Sequence, residues 1–227
     1  MLAELPSPVI DALAPRDRAR LLDGAVARTL APNELLFLAG DTRRRVYVLR
    51  HGVIKLAART GDGRETIIHL AVPGDLVDDV GAFDGDPQPL DAVAAGACDI
   101  AGLDADMLVD ATTRSPAAAL ELAALNARRT RWICDAALER TASEVPARLA
   151  GRLLDLAMLL GRQMPDAIEM ELPLAQGDLA RLAGMCRESA CKTLRGFQKK
   201  GVLDYEGRRM RILRPDILEA IRCAGRG

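Results

Sequence analysis

Residues 185–201 read MCRESACKTLRGFQKKG. A helix over this stretch carries Arg187, Glu188, Lys192, Arg195, Lys199 and Lys200, while Ala190, Leu194 and Phe197 recur at spacings of four and three and form a narrow apolar stripe. Upstream, Leu174, Leu179 and Leu182 give a second helix its own stripe, and Gly184 allows a tight turn between the two. Downstream, Gly201 ends the helix, and VLDY followed by EGRRMRIL predicts a hairpin with Glu206-Gly207 at its tip. Two helices about a short turn, then a hairpin, make a winged helix-turn-helix. A major groove admits one α-helix and offers guanine N7 and O6 to a guanidinium fork and cytosine N4 to a carboxylate. Arg187 followed by Glu188 at the start of such a helix supplies both readers, with Lys192 one turn on.

The charge distribution points the same way. The chain of 227 residues carries a net charge of -1, but residues 1–144 hold 16 Lys or Arg against 22 Asp or Glu, and residues 145–227 hold 15 against 10, so the halves stand at -6 and +5. Between Arg181 and Arg214 there are ten basic residues and three acidic ones, an excess suited to neutralising phosphates.

The first half has a different periodicity. After an amphipathic opening with Ile10, Leu13, Leu21 and Leu22, residues 34–103 run as short apolar bursts separated by Gly and Asp, with Asp62-Gly63 between two runs as a hairpin signal. A small antiparallel β-domain follows. From Ser115 to Gly161 the chain is rich in Ala, Leu, Arg and Glu and reads as one long helix followed by another, with Pro146 marking where the first must have stopped. Hydrophobic residues make up 49% of the chain and aromatics 3%, so the cores are built from Leu, Ala, Val and Ile.

Several classes find no support. The opening MLAELPSPVIDAL lacks the basic lead and apolar core of a signal peptide, and no window of membrane-spanning length is free of charge, so a cytoplasmic protein without a membrane partner is expected. The cysteines at 98, 134, 186, 191 and 223 are odd in number and lack CxxC spacing, which fits reduced thiols and neither a metal nor a resident cofactor. No HExxH or GxGxxG occurs, and the Lys192-Thr193 pair lacks the preceding glycine of a phosphate loop; an enzyme is not expected.

The stretch QGDLARLAGMCRESACKTLRGFQKKGVL resembles the helix-turn-helix of the cyclic-AMP receptor protein and fumarate-nitrate regulator (CRP/FNR) superfamily. NELLFLAGD, VYVLRHGVIKL and IIHLAVPGDLVDDVGAFDG are similar to that family's jelly-roll effector domain, and ALNARRTRWICDAALERTASEVPARLAGRLLDLA to its long dimerisation helix and hinge. The resemblance implies an α+β architecture: an effector-sensing β-roll over residues 1–112, a dimerisation helix and hinge over 113–144, and a winged-helix DNA-binding domain over 145–227. It implies a homodimeric transcription regulator that binds double-stranded DNA at an inverted repeat similar to TGTGA-N6-TCACA and that works with RNA polymerase. The DNA-contacting set carried over is Gln176, Arg187, Glu188, Ser189, Lys192, Arg195, Lys199 and Lys200. QMPDAIEMEL at 163–172 is a positional candidate for the polymerase-facing surface, and Leu122, Leu125, Trp132 and Ile133 suggest the dimer seam, interrupted by Arg129.

The departures fall in the effector pocket. Cyclic-AMP-binding members carry a Gly-Glu pair and an Arg-Ser pair that grips the cyclic phosphate; here Asp78-Asp79 and Gln88-Pro89 stand in those places, with Asp86 and Asp91 nearby. Ile133-Cys134 replaces the Thr-Ser pair that meets the adenine. A buried anion without a paired cation is costly, so cyclic AMP does not fit the usual pose. Residues 1–97 contain no cysteine, which excludes an N-terminal iron-sulfur site, and His51 and His69, the sole histidines, read as strand residues rather than haem ligands. An unusual cyclic-nucleotide pocket and a redox response through Cys134 or Cys186 remain as alternatives.

Overall fold

The computed structural model describes residues 5–42, 45–59, 61, 65–142 and 144–225. The chain divides into two compact units, residues 1–131 and 132–227, and the division falls inside the long helix.

The first unit opens with α1 (Pro8–Asp11) and α2 (Pro15–Asp23), each entered through a proline whose fixed φ suits a first helical turn. Strands β1 (Val26–Leu30), β2 (Leu35–Phe37), β3 (Arg45–His51), β4 (Ile54–Arg59), β5 (Glu65–Ala71) and β6 (Leu76–Val77) follow. After the short helix α3 (Val80–Asp84) come β7 (Asp91–Ala94) and β8 (Cys98–Asp104). They form two four-stranded antiparallel sheets, ordered β1-β8-β3-β6 and β2-β7-β4-β5. The alternation along β3 shows how the layers are built. Tyr47 and Leu49 join Leu30, Phe37, Ile54, Ala92 and Ile100 in one core, while Val46 and Val48 join Ala101, Leu103 and the helices in the other. The antiparallel pairing of β4 with β5 runs to Arg59 opposite Glu65, and the expected Asp62-Gly63 turn itself lies outside the described residues.

Helix α4 (Ala105–Thr113) was not expected from the sequence. It starts at Asp104, whose carboxylate accepts the Met107 N–H at 2.9 Å, and it buries Leu108 and Ala111. Helix α5 (Pro116–Ala142) begins beside Ser115, whose hydroxyl accepts the Ala118 N–H and donates to the Ala12 carbonyl at 2.8 Å. Leu125 is buried in the first unit's own core and Leu122 packs against that core, which corrects their reading as seam residues: they satisfy this domain's apolar face. Leu120, Ile133 and Leu138 are the exposed large apolar residues of α5.

In the second unit α6 (Val145–Leu160) carries Pro146 in its first turn, and α5 has ended before it, at Ala142. Then come β9 (Arg162–Gln163), β10 (Ile168–Glu171), α7 (Gln176–Leu182), α8 (Arg187–Lys199), β11 (Leu203–Glu206), β12 (Arg209–Ile212) and α9 (Pro215–Ala224). The sheet order is β11-β12-β10-β9. The stretch 163–172, read from sequence only as a surface candidate, therefore contributes β10 to the wing sheet, with Met170 opposite Met210. The β11–β12 register pairs Glu206 with Arg209, so Gly207 and Arg208 form the tip, one residue later than expected; Gly207 supplies the positive φ of 61°.

Candidate nucleic-acid interface and effector region

The apolar stripes position the reading helix. Leu174, Leu179 and Leu182 are buried, as are Ala190, Leu194 and Phe197 on the inner side of α8. At the turn Gly184 has φ of 63°, a left-handed backbone that favours glycine, and a Cβ there would press on the Arg140 side chain, 3.0 Å from its Nε. At the far end Val202 N–H donates to Phe197 O and Gly201 N–H to Gln198 O, each at 2.9 Å, a Schellman closure with Gly201 at φ 65°. Both ends of α8 are thereby set, and its face is fixed in register.

That face carries the expected side chains. Arg187, Glu188, Lys192, Arg195, Lys199 and Lys200 are exposed, and Ser189 and Gln176 are half-buried. Arg187, Glu188, Cys191, Lys192 and Arg195 line one open depression. Ser189 is engaged locally: its Oγ lies 3.1 Å from Sγ of Cys186, the residue before α8. The Ser189 hydroxyl, backbone N–H groups at the helix start aiding it, holds the Cys186 thiol below the usual thiol range.

The cation count from sequence needs correction. Arg211 is held by Glu169 at 2.9 Å and Asp166 at 3.1 Å, Arg214 by Asp216 at 2.8 Å, and Arg181 by Asp178 at 3.0 Å. Each of those acids lies outside the 181–214 window. Among the described residues, Arg187, Lys192, Arg195, Lys199, Lys200, Arg208 and Arg209 have no carboxylate partner, and these seven are free to meet phosphates or bases.

In the first unit the divergent pocket residues are built into the protein. Asp78 is buried with φ of 73°, a left-handed backbone that favours glycine and that Asp adopts at modest cost. Asp79 is buried, and both its oxygens accept from Nη1 of Arg129, at 2.9 and 2.8 Å; Arg129 Nη2 also donates to the Leu76 carbonyl. Asp91 accepts from the Ala39 N–H at 2.8 Å and pairs with Arg59 at 3.0 Å. Gln88 is buried, with Nε2 so close to Gly81 that a Cβ there would sit 2.7 Å away, while Pro89 and Asp86 are exposed. Ile133 and Cys134 are exposed on the part of α5 that belongs to the second unit. His51 is exposed; His69 is buried, and burial, with the Arg129 charge adding to it, pushes its imidazole down to about 4. No cluster of His, Cys, Asp or Glu with metal-holding geometry occurs among the described residues, and no described helix is long and apolar enough to cross a membrane.

Sequence reasoning missed Arg129, treating it as a break in a seam. The letters show Asp78-Asp79 directly after an apolar run, which calls for a cation if that run is buried, but they do not say which cation. It also missed a second buried network, in which Arg152 bridges Glu139 at 2.6 Å and Asp155 at 3.0 Å and lies 5.0 Å from the Trp132 ring centroid, while Arg222 pairs with Glu139 at 3.1 Å.

Comparison with known proteins agrees with this layout. Residues 27–115 match the cyclic nucleotide-binding domain family, and residues 147–221 the Crp-like helix-turn-helix domain family. The chain is 29% identical over 177 residues to a CRP-like cAMP-activated global transcriptional regulator of Mycobacterium tuberculosis, covering 78% of this chain and 79% of that one. It is 28% identical over 178 residues to the fumarate and nitrate reduction regulatory protein of Vibrio cholerae, covering 78% and 71%. The fold is that of FixK2 from Bradyrhizobium japonicum, with a TM-score of 0.78 at 22% identity over 87% of this chain and 96% of that one. A CRP-family regulator of Thermus thermophilus superposes with a TM-score of 0.71 at 24% identity, over 86% and 96%. With a cyclic-nucleotide-binding-type roll, a Crp-like helix-turn-helix and relatives that are regulators of both named branches, the chain belongs to the CRP/FNR superfamily of transcription regulators.

Proposed function

We propose that this regulator binds, as a homodimer, an inverted repeat similar to TGTGA-N6-TCACA and does so without cyclic AMP. The observation that carries the DNA reading is the α8 face: Arg187, Glu188, Lys192 and Arg195 stand exposed on a helix whose opposite side is locked by Ala190, Leu194 and Phe197. Arg187 suits guanine and Glu188 suits cytosine. Lys192 lacks the bidentate fork of an arginine, so preference at its base is looser. Two copies must place α8 about 34 Å apart to read successive groove faces, and exposed Leu120 and Leu138 on α5 supply apolar surface for the second copy. The functional parts are residues 1–112 for effector sensing, 113–144 for dimerisation and hinge, and 145–227 for DNA. The dimer acts in the cytoplasm and contacts RNA polymerase.

Independence from cyclic AMP is supported by the first unit's charges. Arg129 is committed to Asp79 and Arg59 to Asp91, and the places of the phosphate-gripping pair hold Gln88 and Pro89. A cyclic phosphate would find no uncommitted cation among these residues. Selection of bound sequences from a random DNA pool tests the site, and titration calorimetry tests the ligand: no cyclic AMP heat is expected at millimolar nucleotide, and micromolar binding overturns that part. Sedimentation tests the assembly.

A redox reading is favoured at Cys186, which is exposed and hydrogen-bonded through Ser189 at the head of the reading helix. A peroxide would transfer one oxygen to the thiolate, giving the sulfenic acid and releasing hydroxide. Loss of DNA binding on peroxide treatment that Cys186→Ser abolishes would establish it; equal sensitivity in both proteins would dismiss it.

A further inference from the structure

We propose that Cys191 is a positioning residue for DNA binding, its thiol holding the Gln176 carboxamide so that the amide N–H groups face a backbone phosphate. The inference rests on the DNA reading above. Cys191 lies on α8 one turn after Arg187 and one turn before Arg195, and it shares their open depression. Its Sγ is 3.1 Å from Oε1 of Gln176, the first residue of α7, so this contact joins the two helices of the motif.

The chemistry decides which end of the amide is engaged. The carbonyl end faces the thiol: Cys191 Sγ–H, a weak donor, gives its proton to Gln176 Oε1, which leaves the NH2 group unspent. Gln176 Nε2 is thereby turned away from Cys191, and among the described residues it has no protein acceptor. Phosphate oxygens are the acceptors that duplex DNA offers to such a donor, and contacts of this kind fix register without reading sequence. A free glutamine would lose rotamer freedom on binding. Here part of that ordering is present before DNA arrives, which lowers the entropic cost of the contact.

Cys191→Ala removes the donor, Cys191→Ser keeps one of similar size, and Gln176→Ala removes the group being held. These variants and the Cys191→Ala/Gln176→Ala double, all reduced, would be titrated by fluorescence anisotropy against the selected operator and a random duplex across a salt series. Cys191→Ala and Gln176→Ala should each weaken both DNAs by about 10-fold, the low end for a hydrogen bond to an ionised oxygen. The double should be no weaker than the worse single, and Cys191→Ser should stay within about 2-fold of the parent. The salt slope should not change, since no cation is lost. A packing role alone would shift the melting temperature without matching Gln176→Ala on DNA. Unaltered binding by Cys191→Ala, or losses that add in the double, overturn the inference. Arg187→Ala run alongside separates the two claims: lost preference there with no effect at 191 overturns this inference only, whereas unaltered preference at 187 overturns the reading beneath it.

Discussion

Arg129 and Asp79, 50 residues apart in sequence, meet in the interior of the first unit with both carboxylate oxygens on one guanidinium nitrogen. Burial pushes the Asp79 carboxyl up and the Arg129 charge opposes it, so each group depends on the other to be tolerated there. Arg129→Leu should cost about 3–5 kcal/mol in urea unfolding because it leaves a buried carboxylate alone, while Arg129→Leu with Asp79→Leu should recover most of the loss. Two small, additive effects would mean the pair is not buried as described.

On DNA the cations should separate into classes. Arg187→Ala should cost about 1–3 kcal/mol on the selected site and relax preference at one base pair. Lys200→Ala should weaken all sequences alike and flatten the salt slope by about one unit of charge. Arg211→Ala should leave the slope where it was, because Glu169 and Asp166 already neutralise it. Anisotropy titrations over a salt series check all three, and a flattened slope for Arg211→Ala would contradict the assignment.

His69 makes a pH prediction with a definite sign. Its imidazole falls from 6.5 in the unfolded chain to about 4 in the fold, so between those values the unfolded state binds more protons. Stability should therefore fall as pH drops from about 6.5 toward 4, by at most about 3 kcal/mol from this group. Urea unfolding of the parent and of His69→Gln at pH 7.5, 6 and 5 isolates it: the difference between the two proteins should change with pH, and a constant difference would refute the contribution.

Asp78 tests the left-handed backbone. Asp78→Gly and Asp78→Ala both delete the carboxylate, but only alanine carries a Cβ into φ of 73°. The glycine variant should be the more stable of the two by about 1 kcal/mol, the reverse of the order at an ordinary position. Thermal melts of the two variants suffice.

The reading helix, the turn glycine and the two apolar stripes about it were all legible in residues 174–201, because helical periodicity and a glycine's backbone freedom are properties of neighbours along the chain. The same holds for the strand bursts of residues 34–103, though there the two-sided burial of β3 hid which residue faced which core. Other features were not legible. A stripe with Leu122 and Leu125 announces a buried face without saying what buries it, and it proved to be the domain's own core. Arg211 counted as a free cation until the wing sheet brought Glu169 to it from 42 residues upstream, and Arg129 counted as an interruption until the fold set it on Asp79. Local dihedral preference and side-chain period act over a few residues and can be read off a string of letters. Which charge neutralises which depends on where chain reversals carry distant strands and helices, and only the folded backbone decides that.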